Sequence, residues 1–301
     1  MCFRNPRPVL AGLFACLTLF AVAARAEIAV VDDAGTTIRL ARPAQRIVSL
    51  APHITEQLFA IGAGARIVGA VSYSDYPPEA KNIPRVGDNR AIDIERLLAT
   101  KPDLVVAWFH GNAVRQLEQL KSLGLTIYYN QPKALEDVGS SLERLGVLTG
   151  NVPQANAAAH RFRERIRTLR ERYSALEPVP VFYEIWHRPL YTINGEQLIS
   201  DAIRLCGGTN IFAKLPVLAP TVTHEAVLKA DPLAIVASGM GGKRPEWLDE
   251  WKAWPDLQAV KLGNLFALDS DLMNRHGPRI ADGAQQLCVA LDTARSRKNR
   301  R

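Results

Sequence analysis

The sequence predicts an α/β fold: two α/β lobes with mainly parallel sheets, joined by a single long α-helix, with a ligand cleft between the lobes. Three observations predict it. Short apolar, β-rich runs alternate with helical patterns along most of the chain, and such alternation builds parallel sheets covered by helices. One stretch, NVPQANAAAHRFRERIRTLRERYSALE, is far longer than any other helical pattern. Finally, DIERLLATKPDLVVAW at 93–108 returns at 223–238 as THEAVLKADPLAIVAS, shifted by 130 residues without a gap. Glu95 falls on Glu225, Pro102 on Pro232, and Val105, Val106 and Ala107 on Ile235, Val236 and Ala237. One helix–proline–strand unit is therefore used once in each lobe.

The chain opens with Arg4 and Arg7, an apolar run from Val9 to Ala23, and the small-x-small sequence Ala24-Arg25-Ala26. These are the n-region, h-region and cleavage site of a secretory signal peptide, residues 1–26. The run is shorter than the ~20 apolar residues a membrane span needs. A buried N-terminal helix fits less well, because no second, polar face is marked. Phe14 makes a poor lipobox for Cys16, so the mature chain is expected to start at Glu27 in an oxidising compartment.

Residues 27–149 read as the N-terminal lobe. Glu27 to Leu40 alternates around DDAG as a surface hairpin. RIVSLAP and RIVGAV read as strands flanking the helical ITEQLFAIG. The glycines of GAGARIVG follow a helix and precede a strand, the reverse of a dinucleotide-binding turn, and read as a helix C-cap. DIERLLAT, DLVVAWF, AVRQLEQLKSLG, TIYYN and ALEDVGSSLERLGVL continue the alternation. Residues 150–178 read as the interdomain helix: Ala159, Phe162, Ile166, Leu169, Tyr173 and Leu176 recur every three or four positions. That spacing makes an amphipathic helix of up to ~25 residues, ~38 Å long, which Pro178 and Pro180 end. Residues 179–294 read as the C-terminal lobe, from the strand VPVFYEIW to a last helix through Cys288. Residues 295–301, RSRKNRR, read as a frayed basic tail.

Charge excludes one class of partner. The whole chain is +7; losing the three arginines of the signal leaves +4, and setting aside the five basic residues of the tail leaves −1. A nucleic-acid reader needs a basic face on a reader fold, and neither is present. Export also reduces four cysteines to two, Cys206 and Cys288. They are either a disulfide or two buried thiols, and spacing alone does not decide.

No G-x-S-x-G elbow, Walker A loop, H-E-x-x-H or C-x-x-C occurs, which leaves only a scattered Ser-His-Asp hydrolase as an enzymatic reading. The strand ends carry aromatics instead: Tyr73 and Tyr76 in SYSDYPP, Trp108 and Phe109, Trp186 in EIWHRPLY, and Tyr191. Singly each is ordinary packing; together they suit a cleft that takes a large, partly apolar ligand. Trp247, Trp251 and Trp254 have the helical spacing of packing residues. His53, His110, His187 and His276, with Asp271, offer a metal site as the competing reading, but no pair has tight ligand spacing.

RIVSLAPHITEQLFAIGAG, VGAVSYSDYPPEA, IPRVGD, DIERLLATKPDLVVAWFHGN, LISDAIRLCGGTNIF and AQQLCVAL, spread in order over residues 43 to 292, resemble the periplasmic cobalamin-binding proteins of bacterial ABC importers. IPRVGD and KPDLVVA are shared with carriers of siderophores and haem. SYSDYPP, the tryptophan and GN of AWFHGN, and the CGG…AQQLC pair are more specific. The resemblance implies a corrinoid held between two lobes that move little, delivery to an ABC permease dimer in the inner membrane, no enzymatic activity, no catalytic cofactor or protein-bound metal, and a monomer when free. Carried over residue by residue, it implies that Tyr73, Trp108 and Tyr191 contact cobalamin with Pro52 and Asp271 close by, that Cys206 and Cys288 form a disulfide, and that Glu95 and Glu225 meet arginines of the permease. There are departures. Some members place tryptophans at the positions of Asn89 and Ala219. His53 replaces a small residue in the A-P-x-x-T-E turn, which makes it a candidate axial ligand to cobalt, and Trp186 restores aromatic surface. The alternative ligand is haem or a ferric siderophore. Haem carriers of this class often place a tyrosine where Asp88 stands.

Overall fold

The structure, a computed structural model, describes residues 1–2, 27–88, 90–239 and 243–300. Residues 3–26 of the expected signal peptide, and Asn89, lie outside them. β1 (Ile28–Val31) and β2 (Thr37–Leu40) form the antiparallel hairpin. Asp32 closes its turn by accepting from the amides of Ala34 and Thr36. There follow β3 (Ile47–Ser49), α1 (Pro52–Ala60), β4 (Ile67–Ala70), α2 (Ile94–Ala99), β5 (Leu104–Trp108), α3 (Val114–Ser122), β6 (Ile127–Asn130) and α4 (Leu135–Thr149). Their four strands make a parallel sheet ordered β4-β3-β5-β6.

After α5 (Val152–Tyr173) the plan repeats. β7 (Val179–Glu184), a short hairpin of β8 (Trp186–His187) and β9 (Leu190–Tyr191), α6 (Leu198–Leu205), β10 (Gly208–Asn210), α7 (His224–Ala230), β11 (Ala234–Gly239), α8 (Gln258–Lys261), β12 (Leu265–Asp269), α9 (Ser270–Met273) and α10 (Ile280–Asn299) complete the chain. The second sheet, also parallel, is ordered β10-β7-β11-β12. Counted within its own lobe, each sheet runs second, first, third, fourth strand. The sequence repeat is thus a topological one: α2–β5 and α7–β11 occupy equivalent places. β11 and all but the last residue of β5 are buried, as interior strands covered on both faces must be.

The long helix fixes the lobes to one another. Ala155, Ala158 and Ala159 of its first half join the core around α1, β3 and α4. Phe162, Ile166 and Tyr173 of its second half join the core around α6, β7 and α10. The start of α4 crosses too: Leu135 and Val138 pack in that second core, and the Leu135 amide donates to Asp201 of α6. A 22-residue helix shared by two cores resists hinge bending. Among the described residues, no helix is long and apolar enough to cross a membrane.

Cys206 at the end of α6 is bonded to Cys288 of α10. One expectation needs correcting. The basic stretch is not a frayed tail over its described residues: α10 continues through Asn299. Arg295, 6% exposed, donates to the carbonyls of Glu177, Cys206 and Gly207. Carbonyls stranded at a helix end need donors, and this arginine supplies them. EWLDEWKAW is helical but tighter than an α-helix, a 3-10 segment from Glu246 to Ala253. Trp251 is nonetheless buried there and donates to Glu184 Oε2 at 2.7 Å.

Candidate ligand cleft

The strand ends of both lobes converge on one cavity of about 270 Å³, lined by Tyr73 from the first lobe and by Trp186, Ser238, Asp271, Asn274 and Arg275 from the second. A larger cavity of about 630 Å³ lies elsewhere, between β12 and α10 within one lobe. The smaller one is the better candidate, because open α/β sheets take ligands at the carboxyl ends of their strands.

Tyr73 is 70% exposed and held at a φ of 65°. Side chains other than glycine seldom adopt that conformation, and such strain gathers at binding sites. Trp186 is 48% exposed, with its indole N–H donating to the Arg188 carbonyl at 3.0 Å. Tyr191 lies opposite it across the β8–β9 hairpin. The cleft therefore presents one aromatic face from each lobe.

Trp108, at the end of β5, is half-buried between His53 and His276, with ring centroids at 5.4 and 5.8 Å, and is not among the residues that line the cavity. Pro52 opens α1 and places His53 in its first turn. His53 is 3% exposed and is not among the residues that line the cavity. The other histidines are elsewhere: His110 packs on Phe109 and His187 stacks on Trp247. Among the described residues, no three His, Cys, Asp or Glu side chains converge as metal ligands. Ala219 lies in the loop before α7, outside the named elements.

The feature missed from sequence is an ion-pair network across the lobes. Glu56 of α1, 2% exposed, accepts from Arg279 Nη2 at 2.6 Å and Nε at 2.9 Å, and from Arg275 Nη1 at 3.0 Å. Arg275 also reaches Asp75 at 2.8 Å and Asp271 at 2.9 Å. Arg279 lies 3.8 Å over the Tyr76 ring. Asp271 is thus held at the cleft by a guanidinium. A signal did exist: a single acid, Glu56, in the short α1, and two arginines four residues apart in RHGPR.

Burial holds His53 and His276 neutral. It lowers His276 to about 4, and lowers His53 well below its ordinary value, with the neighbouring His276 adding to the effect. Because the folded pKa values lie below the unfolded value of 6.5, the folded state binds fewer protons. Stability is then complete above pH ~6.5 and is lost as pH falls toward the folded pKa. His276 alone accounts for about 2–3 kcal/mol between pH 7.5 and 4.5. Urea denaturation at both pH values checks this, and His276→Gln should shrink the loss by that amount.

Glu95 and Glu225 stand exposed in the first turns of α2 and α7. Asp93 caps the first helix by accepting from the Arg96 amide, and Thr223 caps the second from the Ala226 amide. Hydrogen bonds from its own amide and from Thr223 hold the Glu225 carboxyl below the ordinary range. Among the described residues, neither carboxylate has an ion-pair partner.

Two parallel-sheet lobes meeting over a cleft, locked by a shared helix, define a class of ligand-capturing protein. The chain belongs to the periplasmic binding protein family, whose profile matches residues 47–272, and it is a binding protein, not an enzyme. It is 40% identical over 253 residues to a vitamin B12-binding protein of Vibrio cholerae serotype O1, covering 84% of this chain and 91% of that one. It is also 40% identical over 251 residues to a vitamin B12-binding protein of Yersinia pestis, covering 83% and 88%. Among solved structures, the periplasmic vitamin B12-binding protein BtuF of Vibrio cholerae superposes with a TM-score of 0.78 at 39% identity, over 84% of this chain and 98% of that one. The periplasmic haem-binding protein RhuT of Roseiflexus sp. RS-1 superposes with a TM-score of 0.73 at 24% identity, over 83% and 99%. That second likeness speaks to the fold alone.

Proposed function

We propose that the protein, a monomer when free, captures cobalamin or a related corrinoid in the periplasm and delivers it to an ABC permease dimer in the inner membrane. The observation that carries this reading is the 40% identity, over 84% of the chain, to a vitamin B12-binding protein. The signal-like segment at 1–26 supports a periplasmic location. Tyr73 and Trp186 supply flat apolar faces from opposite lobes, which suits the broad surface of a corrin. Trp108, His53, Pro52, Tyr191 and Asp271 are proposed to complete the ligand-binding set.

Tyr73→Ala and Trp186→Ala are each expected to weaken cobalamin binding by about 1–3 kcal/mol, the range for an aromatic anchor. Trp251→Ala should lower thermal stability and leave affinity nearly unchanged, since Trp251 is buried away from the cleft. Calorimetric titration of the three folded variants distinguishes wall from core.

The exposed glutamates are proposed to dock the permease. They are similarly capped on topologically equivalent helices, so they present one carboxylate per lobe to a partner with two symmetry-related basic sockets. A charge-assisted contact of that kind is strong and directional. Glu95→Gln with Glu225→Gln should leave cobalamin affinity unchanged but cut uptake at limiting cobalamin at least tenfold. Normal uptake by the folded double variant would leave these acids as partners of the helix dipole only.

A further inference from the structure

Trp186 stands half-exposed at the cleft, yet the strand that carries it is slight. β8 is two residues long and pairs with β9. β9 is braced on its other side, where Tyr191 bridges Thr221 and the Val222 amide donates to the Leu190 carbonyl. β8 is therefore the edge of the ribbon, and so short a hairpin is marginal by itself. The Trp186 ring has two local holds. Its N–H donates to the Arg188 carbonyl at 3.0 Å, and the His187 ring meets it with centroids 5.7 Å apart. Both residues are held in turn by the 3-10 segment from Glu246 to Ala253. His187 stacks on Trp247, with centroids 5.1 Å apart and ring planes 10° from parallel. Arg188 pairs with Glu250 at 3.1 Å, but both side chains are more than half exposed, so that pair contributes little. The stack is the firmer hold. Trp247 packs against the core around Phe182, Leu248 and Trp251, which makes it a fixed platform. His187 Nδ1 is buried without a hydrogen-bond partner, so this nitrogen plays no part in holding the ring. Trp251 differs, because its N–H bond runs to Glu184 of β7, in the sheet and not in the hairpin.

We infer that Trp247 and His187 are positioning residues: their stack fixes the edge strand, so that Trp186 is presented in one orientation before the ligand arrives. The inference rests on the reading of Trp186 as a wall of the cobalamin cleft. An anchor ordered in advance avoids the entropy loss that a mobile one suffers on binding. Neither Trp247 nor His187 is among the residues that line the cavity, so their effect on affinity passes through Trp186.

Calorimetric titration with cyanocobalamin tests this, with the urea midpoint of each variant measured beside it. Trp247→Ala and His187→Ala should each weaken binding about three- to tenfold, the order of one side chain's ordering cost. His187→Phe, which keeps a flat ring on Trp247, should bind as the wild type does. A merely structural role would lower the urea midpoint without depending on Trp186. In a Trp186→Ala background, His187→Ala should change affinity by no more than about twofold, whereas in a Tyr73→Ala background it should keep its full effect. If Trp247→Ala does not fold, the His187 variants decide alone. Wild-type affinity in folded His187→Ala, no rescue by His187→Phe, or an equal loss with and without the Trp186 ring would overturn the inference and leave the cobalamin reading intact. Wild-type affinity in Trp186→Ala would remove that wall and the inference together. Failure of the wild type to bind cyanocobalamin would overturn the cobalamin reading itself, and the inference with it.

Discussion

Glu56→Ala is expected to destabilise the protein by about 3–5 kcal/mol, the cost of stripping one partner from a buried ion pair. The side chain is 2% exposed and takes hydrogen bonds from two arginines of the other lobe. Without it, Arg275 keeps Asp75 and Asp271, but Arg279 keeps only the face of Tyr76. A guanidinium that is one-fifth exposed would then stand at the lobe interface without a counter-charge. Glu171→Ala, whose partner Arg167 lies in solvent, should leave the urea midpoint almost unchanged. An equal shift in the two variants would show that the network does not hold the lobes together.

Removing the disulfide should have an effect of similar size. Cys206 and Cys288 are 82 residues apart, and closing a loop of that length restricts the unfolded chain by about 4–5 kcal/mol on the chain-entropy model. Both sulfurs are fully buried in the core that α6 and α10 share with β7. Cys206→Ala with Cys288→Ala should therefore lower the urea midpoint steeply, and a reductant should do the same to the wild type. Two alkylatable thiols in the unreduced, unfolded protein would contradict the pairing.

Periodicity made most of the fold legible. The alternating strands and helices, the long amphipathic helix and the 130-residue repeat all survive as elements, because each reports burial along a regular backbone. β10 was missed, since Gly208–Asn210 is three residues of low β-propensity held by β7. The end of α10 was misread, because Arg295 looks like surface until the carbonyls that need it are in place. For the site, Tyr73 and Trp186 stood out as large apolar residues just past strands. Glu56 and Gln57 did not. Their partners in the second lobe lie 219 and 223 residues away, and no local pattern encodes a contact between lobes.

The account's central claim is that this cleft holds a corrinoid. Equilibrium dialysis of the purified mature protein against cyanocobalamin, haem and a ferric siderophore in parallel, read by visible absorbance, tests it most directly. The account predicts one equivalent of cyanocobalamin retained per chain, and neither of the others. Retention of haem or the siderophore with cyanocobalamin lost to the dialysate would contradict it.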